Sequence, residues 1–134
     1  MPQTPHIRRD QQGQATAELA IVMPVLAMIL LGVLQFGITF NHYLSLTDAV
    51  RTGARAAAVS RQLGNGASAN AEAKLRAAAA DLNQSKLDVS VTPSDNWAPG
   101  STVTVSATYP YDIDVLGIVL KSGRLSSSTQ ERVE

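Results

Sequence analysis

The chain has 134 residues, 11 basic and 11 acidic side chains, no cysteine, and aromatics at only 4 %. Balanced charge and few aromatics exclude a nucleic-acid footprint and a stacking surface for single strands. The lack of cysteine excludes disulfides, thiol catalysis and Cys-ligated zinc, and the length accommodates one modest domain beside a membrane helix.

Residues 1–13 are polar, contain Pro2, Pro5 and Gly13, and read as a flexible leader. Between Glu18 and Asp48 no side chain carries a formal charge for 29 residues. Leu19 to Phe40 is 22 residues, which as a helix is ~33 Å long, enough for the hydrocarbon core of a bilayer. Lipid cannot satisfy exposed backbone N–H and C=O groups, so such a segment has to be helical. Arg8 and Arg9 precede the run, and Asn41, His42 and Tyr43 follow it. The positive-inside rule then places residues 1–13 in the cytoplasm and the rest of the chain beyond the membrane. The expected location is the cytoplasmic membrane, crossed once, with an extracytoplasmic head. A secretory signal would have an apolar core of ~7–15 residues and a small-x-small cleavage site. This run is longer, and no Ala-x-Ala follows Phe40.

Within the run, Pro24 removes a backbone donor and is expected to kink or loosen the helix. Gly32 and Gly37 permit close helix contact but stand five apart rather than four. Phe36, Phe40 and Tyr43 share one face, with Tyr43 as an interfacial anchor. The helix continues through the alanine cluster Ala54, Ala56, Ala57 and Ala58. Asp48 and Arg51 form an i,i+3 pair on it, and Gly64-Asn65-Gly66 ends it. Residues 14–63 thus form one long helix whose N-terminal half spans the membrane.

Residues 67–134 form the head. A second helix spans roughly 69–84, with Ala71, Leu75, Ala78, Ala79 and Leu82 on one face and Glu72 suiting its positive end. The period then changes to two. Leu87 to Val91 alternates until Pro93, Asp95 to Gly100 turns, and Thr102 to Tyr109 alternates until Pro110 closes the strand. The two runs read as an antiparallel hairpin. Residues 113–120 are apolar, too short to span a membrane, and expected to loop back over the sheet. Leu125 to Val133 reads as a polar third strand. The fold class is α+β: a long N-terminal helix, a second short helix and a three-stranded antiparallel sheet. Val103, Val105 and Tyr109 are expected to face the long helix, with Thr102, Thr104 and Ser106 toward water.

No residue set argues for an enzyme or a cofactor. His6 and His42 have no partner at metal-ligand spacing. Asp112 and Asp114 flank Ile113 and read as solvated surface, lacking the partners of glycosidase or calcium-binding carboxylates. Ser126-Ser127-Ser128 has no nucleophile-elbow context. Trp97 is expected to pack against the sheet edge, with an adhesive contact as the alternative.

Gly13-Gln14-Ala15-Thr16-Ala17-Glu18-Leu19, Pro24 and Leu34-Gln35-Phe36-Gly37 resemble the N-terminal signature of TadE-like proteins, minor pilins or pseudopilins of the tight adherence type IV pilus system. Asp48 to Arg55 is similar to the Ala- and Arg-rich stretch that follows in that family, as is the polar end Glu131-Arg132-Val133-Glu134. The N-terminal match covers about a third of the chain. Type IV pilins usually begin the mature chain with Phe or Met, and Gln14 stands there in this sequence. The resemblance implies cleavage after Gly13 by a prepilin peptidase, which removes Arg8 and Arg9 and frees an amine at Gln14. It implies that Glu18 attracts the amine of an adjacent subunit, and that other pilin subunits and the pilus assembly machinery are partners. A single-pass component of a secretion or envelope complex with an extracytoplasmic binding head is the alternative reading. A secreted soluble binding domain is a third.

Overall fold

The computed structural model describes residues 7–64, 66–115 and 117–134, with residues 7–12 and 115 as backbone alone. Helix α1 runs Ile7–Val59 and contains Pro24. A 3-10 turn follows at Arg61–Leu63, then helix α2 at Gly66–Ala78. Strands β1 (Asp88–Pro93), β2 (Thr102–Val115) and β3 (Ile118–Arg132) make one antiparallel sheet in the order β1-β2-β3.

The expected α+β architecture of long helix, short helix and three-stranded sheet is the one observed. Several boundaries differ. Residues 7–13 are helical and continuous with the rod, where a flexible leader was expected. At the other end α1 stops at Val59, before Gly64. The Ser60 N–H bonds the Ala57 carbonyl and its hydroxyl bonds the Ala56 carbonyl, so the last turn tightens to i→i+3 pairing. Asn70 Nδ2 donates to Ser60 Oγ at 2.7 Å, which leaves this buried hydroxyl fully partnered. Gly64 takes φ 51°; Asn65, the middle of the expected stop signal, lies outside the described residues.

Helix α2 begins three residues earlier than its apolar spacing suggests and ends six earlier. Past Ala78 the carbonyls are taken by the chain itself. Gln84 Nε2 donates to Ala79 O at 2.6 Å and Leu82 O at 3.1 Å, closing the segment as turns rather than helix. With the start moved to Gly66, Glu72 no longer sits in the first turn. It holds Arg76 instead, at 2.9 Å, and Arg76 reaches on to the Gln84 and Leu87 carbonyls.

Strand β2 passes through Pro110, which was expected to end it. Strand β1 pairs with β2 only from Val103 to Thr108, so at Pro110 β2 is an edge strand on that side, where a missing N–H does no harm. Beyond that point β2 and β3 continue as a two-stranded ribbon to the turn at Val115↔Ile118. A register shift lies between Ile113 and Asp114. Residues 113–115 and 117–120 therefore belong to the end of a protruding hairpin rather than a loop folded over the sheet. Tyr111 faces Gly123 across the ribbon. A Cβ at Gly123 would lie 2.9 Å from the Tyr111 ring, so the ring fills the place of the missing side chain.

The core sits where α1 emerges from its apolar half. Adjacent pairs are buried at each turn: Ala49 with Val50, Gly53 with Ala54, Ala57 with Ala58, below Leu46. That arc is wide enough to hold α2 on one side and the sheet on the other. α1 packs on α2, β2 and β3, whereas α2 meets the sheet only along β1. Ala67, Ala71 and Leu75 come from α2, and Val103, Val105, Ala107 and Tyr109 from β2, as the alternation of that strand requires. Thr102 is exposed, and Thr104 and Ser106 are half-buried. Trp97 is buried in this core, not displayed as an adhesive contact. The C-terminus closes the domain: Val133 is buried, and the Glu134 N–H bonds the Ala58 carbonyl at 3.1 Å.

Candidate functional site: the amino-terminal half of the long helix

Helix α1 contains a stretch long and apolar enough to cross a membrane, and none of its most apolar window is buried by the rest of the chain. A core helix of a globular protein would be covered. From Leu19 to Phe40 the large side chains stand open, Ile21, Val33 and Phe36 among the most exposed. Their burial has to come from something outside this chain, lipid or neighbouring helices, because apolar area of this extent left in water opposes folding and solubility.

The residues expected to matter cluster at the start of this stretch. Gly13 is helical and exposed, has no positive φ, and a Cβ built there meets nothing within 4 Å. Glycine in a helix interior costs roughly 0.5–1 kcal/mol against alanine. Here the fold receives nothing in return. Gly32 and Gly37 are in the same position, with open space around both. Beyond the apolar half it is different: Gly53 of α1 abuts Leu75 and Gly123 of β3 abuts Tyr111. Glycine in the apolar half is therefore not explained by contacts within this chain.

Gln14 Nε2 donates to Glu18 Oε1 at 3.1 Å, one turn apart on an exposed face. The helix brings together the first residue after the expected cut and the one carboxylate at the edge of the apolar run. Pro24 lies inside the continuous helix and leaves the Ala20 carbonyl without its usual donor. The side chains of Arg8 and Arg9 are outside the described residues.

Further along, Phe36 and Phe40 stack with ring centroids 6.0 Å apart, and Tyr43 is exposed above them. His42, isolated in the sequence, makes a T-shaped contact with Tyr109, ring centroids 5.5 Å apart. Asp114 departs from the solvated surface expected of it. It is exposed, yet Gln35 Nε2 donates to both its backbone oxygen (2.9 Å) and Oδ1 (3.2 Å). No sequence signal pairs two residues 79 positions apart, although a glutamine inside an apolar run marks a group that needs a partner. Among the described residues no group of His, Asp or Glu could hold a metal ion. An open recess of about 460 Å³ lies where β1 begins, with Lys86, Asp88 and Arg124 among its lining residues.

A family model described as TadE-like protein matches residues 13–55. The match starts at Gly13, includes the whole apolar half of α1, and ends within the part of the helix that enters the core. No curated protein and no solved structure gives a match.

Proposed function

Starting from a chain that is TadE-like over residues 13–55, we propose that it is a minor pilin or pseudopilin of a tight adherence pilus, cut after Gly13 by a prepilin peptidase and assembled through the apolar half of α1. The match over residues 13–55 supports a pilus-associated protein, and the helix suits membrane anchoring. The observation that carries the finer reading is Gly13 itself, a helix-weakening residue that neither backbone conformation nor packing in this chain requires. A peptidase has to draw the 13–14 peptide out of the helix and approach it closely, and a residue without Cβ lowers both barriers. The precursor would sit in the cytoplasmic membrane with residues 1–13 inside and the head outside. Other pilin subunits and the assembly machinery would be its partners, and the exposed Leu19–Phe40 surface would pass from lipid to neighbouring helices. A single-pass envelope component that keeps its first 13 residues is the competing assignment.

The N-terminus decides between them. In cells containing the peptidase, mass spectrometry of the extracted protein is expected to find Gln14 first, free or cyclised. Gly13→Leu is expected to leave the full precursor, with no measurable change in the fold of the head. Recovery of intact residues 1–13 in the unaltered protein assigns it to the competing reading.

Glu18 supplies the second test. Its carboxylate stands at the edge of the apolar run, costly in lipid unless paired or snorkelling to the surface. After cleavage the amine of Gln14 on an adjacent subunit is the partner such packing would provide. Glu18→Ala is expected to insert and be cut normally, since the run becomes more apolar. Incorporation into sheared pili is expected to fall about tenfold or more, in line with the ~2–5 kcal/mol lost when one member of a desolvated charge pair is truncated. Equal recovery of variant and parent would reduce Glu18 to a marker of the membrane edge.

A further inference from the structure

We propose that the tip of the β2–β3 hairpin, Ile118–Leu120, is a second membrane contact, seated in the interface of the leaflet into which the C-terminal end of the apolar run emerges. This rests on α1 spanning the bilayer. Gln35 lies five residues before Phe40, so its level on the helix is ~7.5 Å inside the end of the run. The bonds from its amide to Asp114 hold the ribbon at that level, and the turn at Val115↔Ile118 lies beyond Asp114. Leu31, Gln35, Thr39 and His42 are half-covered in a file at 3–4 spacing on an otherwise open rod. That file is the face along which the ribbon descends.

The chemistry of the tip matches this depth. Ile118, Val119 and Leu120 are 67 %, 59 % and 67 % exposed. Successive strand residues point to opposite sides, so both faces of β3 are apolar at its start and neither suits water. From Ser126 on, the same strand carries polar side chains. Lys121 and Arg124 follow directly and are exposed, placed to reach lipid phosphates while their stems stay at the apolar boundary. Phe36 stands at the level of Gln35, and Phe40 and Tyr43 lie ~7.5 Å and ~12 Å further toward the head, a band of rings of the kind that favours the interface. The Gln35 amide, otherwise a polar group facing hydrocarbon, is satisfied by Asp114. Depth is limited too. Beyond Thr108 the ribbon has lost β1, and its open backbone edges cannot go far into lipid. An interfacial seat satisfies both demands, and it sets the edge of the hydrocarbon near the level of Gln35 rather than at Phe40.

The absence of cysteine permits a direct test on the full chain in phosphatidylcholine–phosphatidylglycerol vesicles. Three single replacements, Leu30→Cys, Val119→Cys and Gln130→Cys, would each carry an environment-sensitive fluorophore. All three positions are exposed, so the label does not strain the fold. The label at 119 is expected to emit to the blue of that at 130, to be quenched by a spin label near the lipid headgroups, and to resist iodide several-fold better. The label at 30 is expected to respond to a deep spin label. Iodide access at 119 equal to that at 130, with 30 still lipid-quenched, overturns the tip contact and leaves the spanning helix intact. Iodide access at 30 as well overturns the spanning helix, and the tip contact with it. Protection of 119 that appears only at high protein density assigns the tip to a second copy of the chain and also overturns the proposal.

Discussion

A fragment starting at Asn41 is expected to fold and melt cooperatively, and one starting at Ala67 is expected not to fold at all. The long helix is the middle of the core rather than a stalk beneath it. α2 and the sheet lie against α1 and meet each other only along β1. Removing residues 41–66 takes away Leu46, Ala49, Val50, Ala54 and Ala57. It also uncovers Leu75 on one side and Val103 and Val105 on the other. Leu46 and Val50 alone are each worth ~1.5–3 kcal/mol of burial, and the uncovered partners lose as much again. A small domain holds about 5–15 kcal/mol in total, and no disulfide compensates. Far-UV circular dichroism and thermal melts of the two fragments check this. Equal melting temperatures would show that residues 67–134 bury their apolar faces unaided.

The second large effect is expected at Gly53. A Cβ there would lie 2.9 Å from Leu75 Cβ, 3.2 Å from Leu75 Cδ1 and 3.3 Å from the Ala71 carbonyl. Two of the three obstacles cannot swing aside, because one is backbone and one is a Cβ fixed to it. Gly53→Ala recovers helix propensity of up to ~1 kcal/mol but forces the helices apart, and overpacking typically costs ~1–3 kcal/mol. The net change is expected to be destabilising by about 1–2 kcal/mol. Gly53→Val, bulkier and β-branched, is expected to cost about 3 kcal/mol or more in fragment 41–134, read by denaturant titration. Leu75→Ala added to Gly53→Ala is expected to cost less than the sum of the two, since they share one contact. Strict additivity would show that α1 and α2 are not in close contact at this point.

The elements that could be read from the sequence are those whose pattern is local. The uncharged run, the two-residue alternation from Thr102 to Tyr109 and the polar strand after Leu125 each carry their own period. The order of the sheet follows from the short connections between its strands. What stayed hidden depends on distant partners. Pro110 breaks a strand only where the neighbour on its N–H side continues, and whether β1 reaches that far is not a property of residues near 110. Residues 113–120 have the composition of a segment seeking cover. That they extend the hairpin along α1 is fixed by Gln35, far back in the chain. The C-terminal bound of α2 falls short because Gln84 holds the residues after it as turns, through side-chain bonds to Ala79 and Leu82 that no propensity records. At the N-terminus the bond from Gln14 to Glu18 follows from their i,i+4 spacing in the helix expected from residue 14 onward, whereas the helical course of residues 7–13 carries no such local mark. Gly53 could have been suspected, since a glycine amid alanines in a helix signals close approach; its partner Leu75 could not.

The unbroken course of α1 from Ile7 to Val59 means that the head has no swivel of its own. An α-helix turns ~100° per residue, so the compass bearing of every face of the sheet is set by the bearing of the apolar half, without a joint to absorb error. The bond between Gln35 and Asp114 fixes that bearing a second time. In the proposed assembly, any rotational order imposed on Leu19–Phe40 would thus be passed on to the head, so azimuth, and not only position, would be inherited by the head from the apolar half.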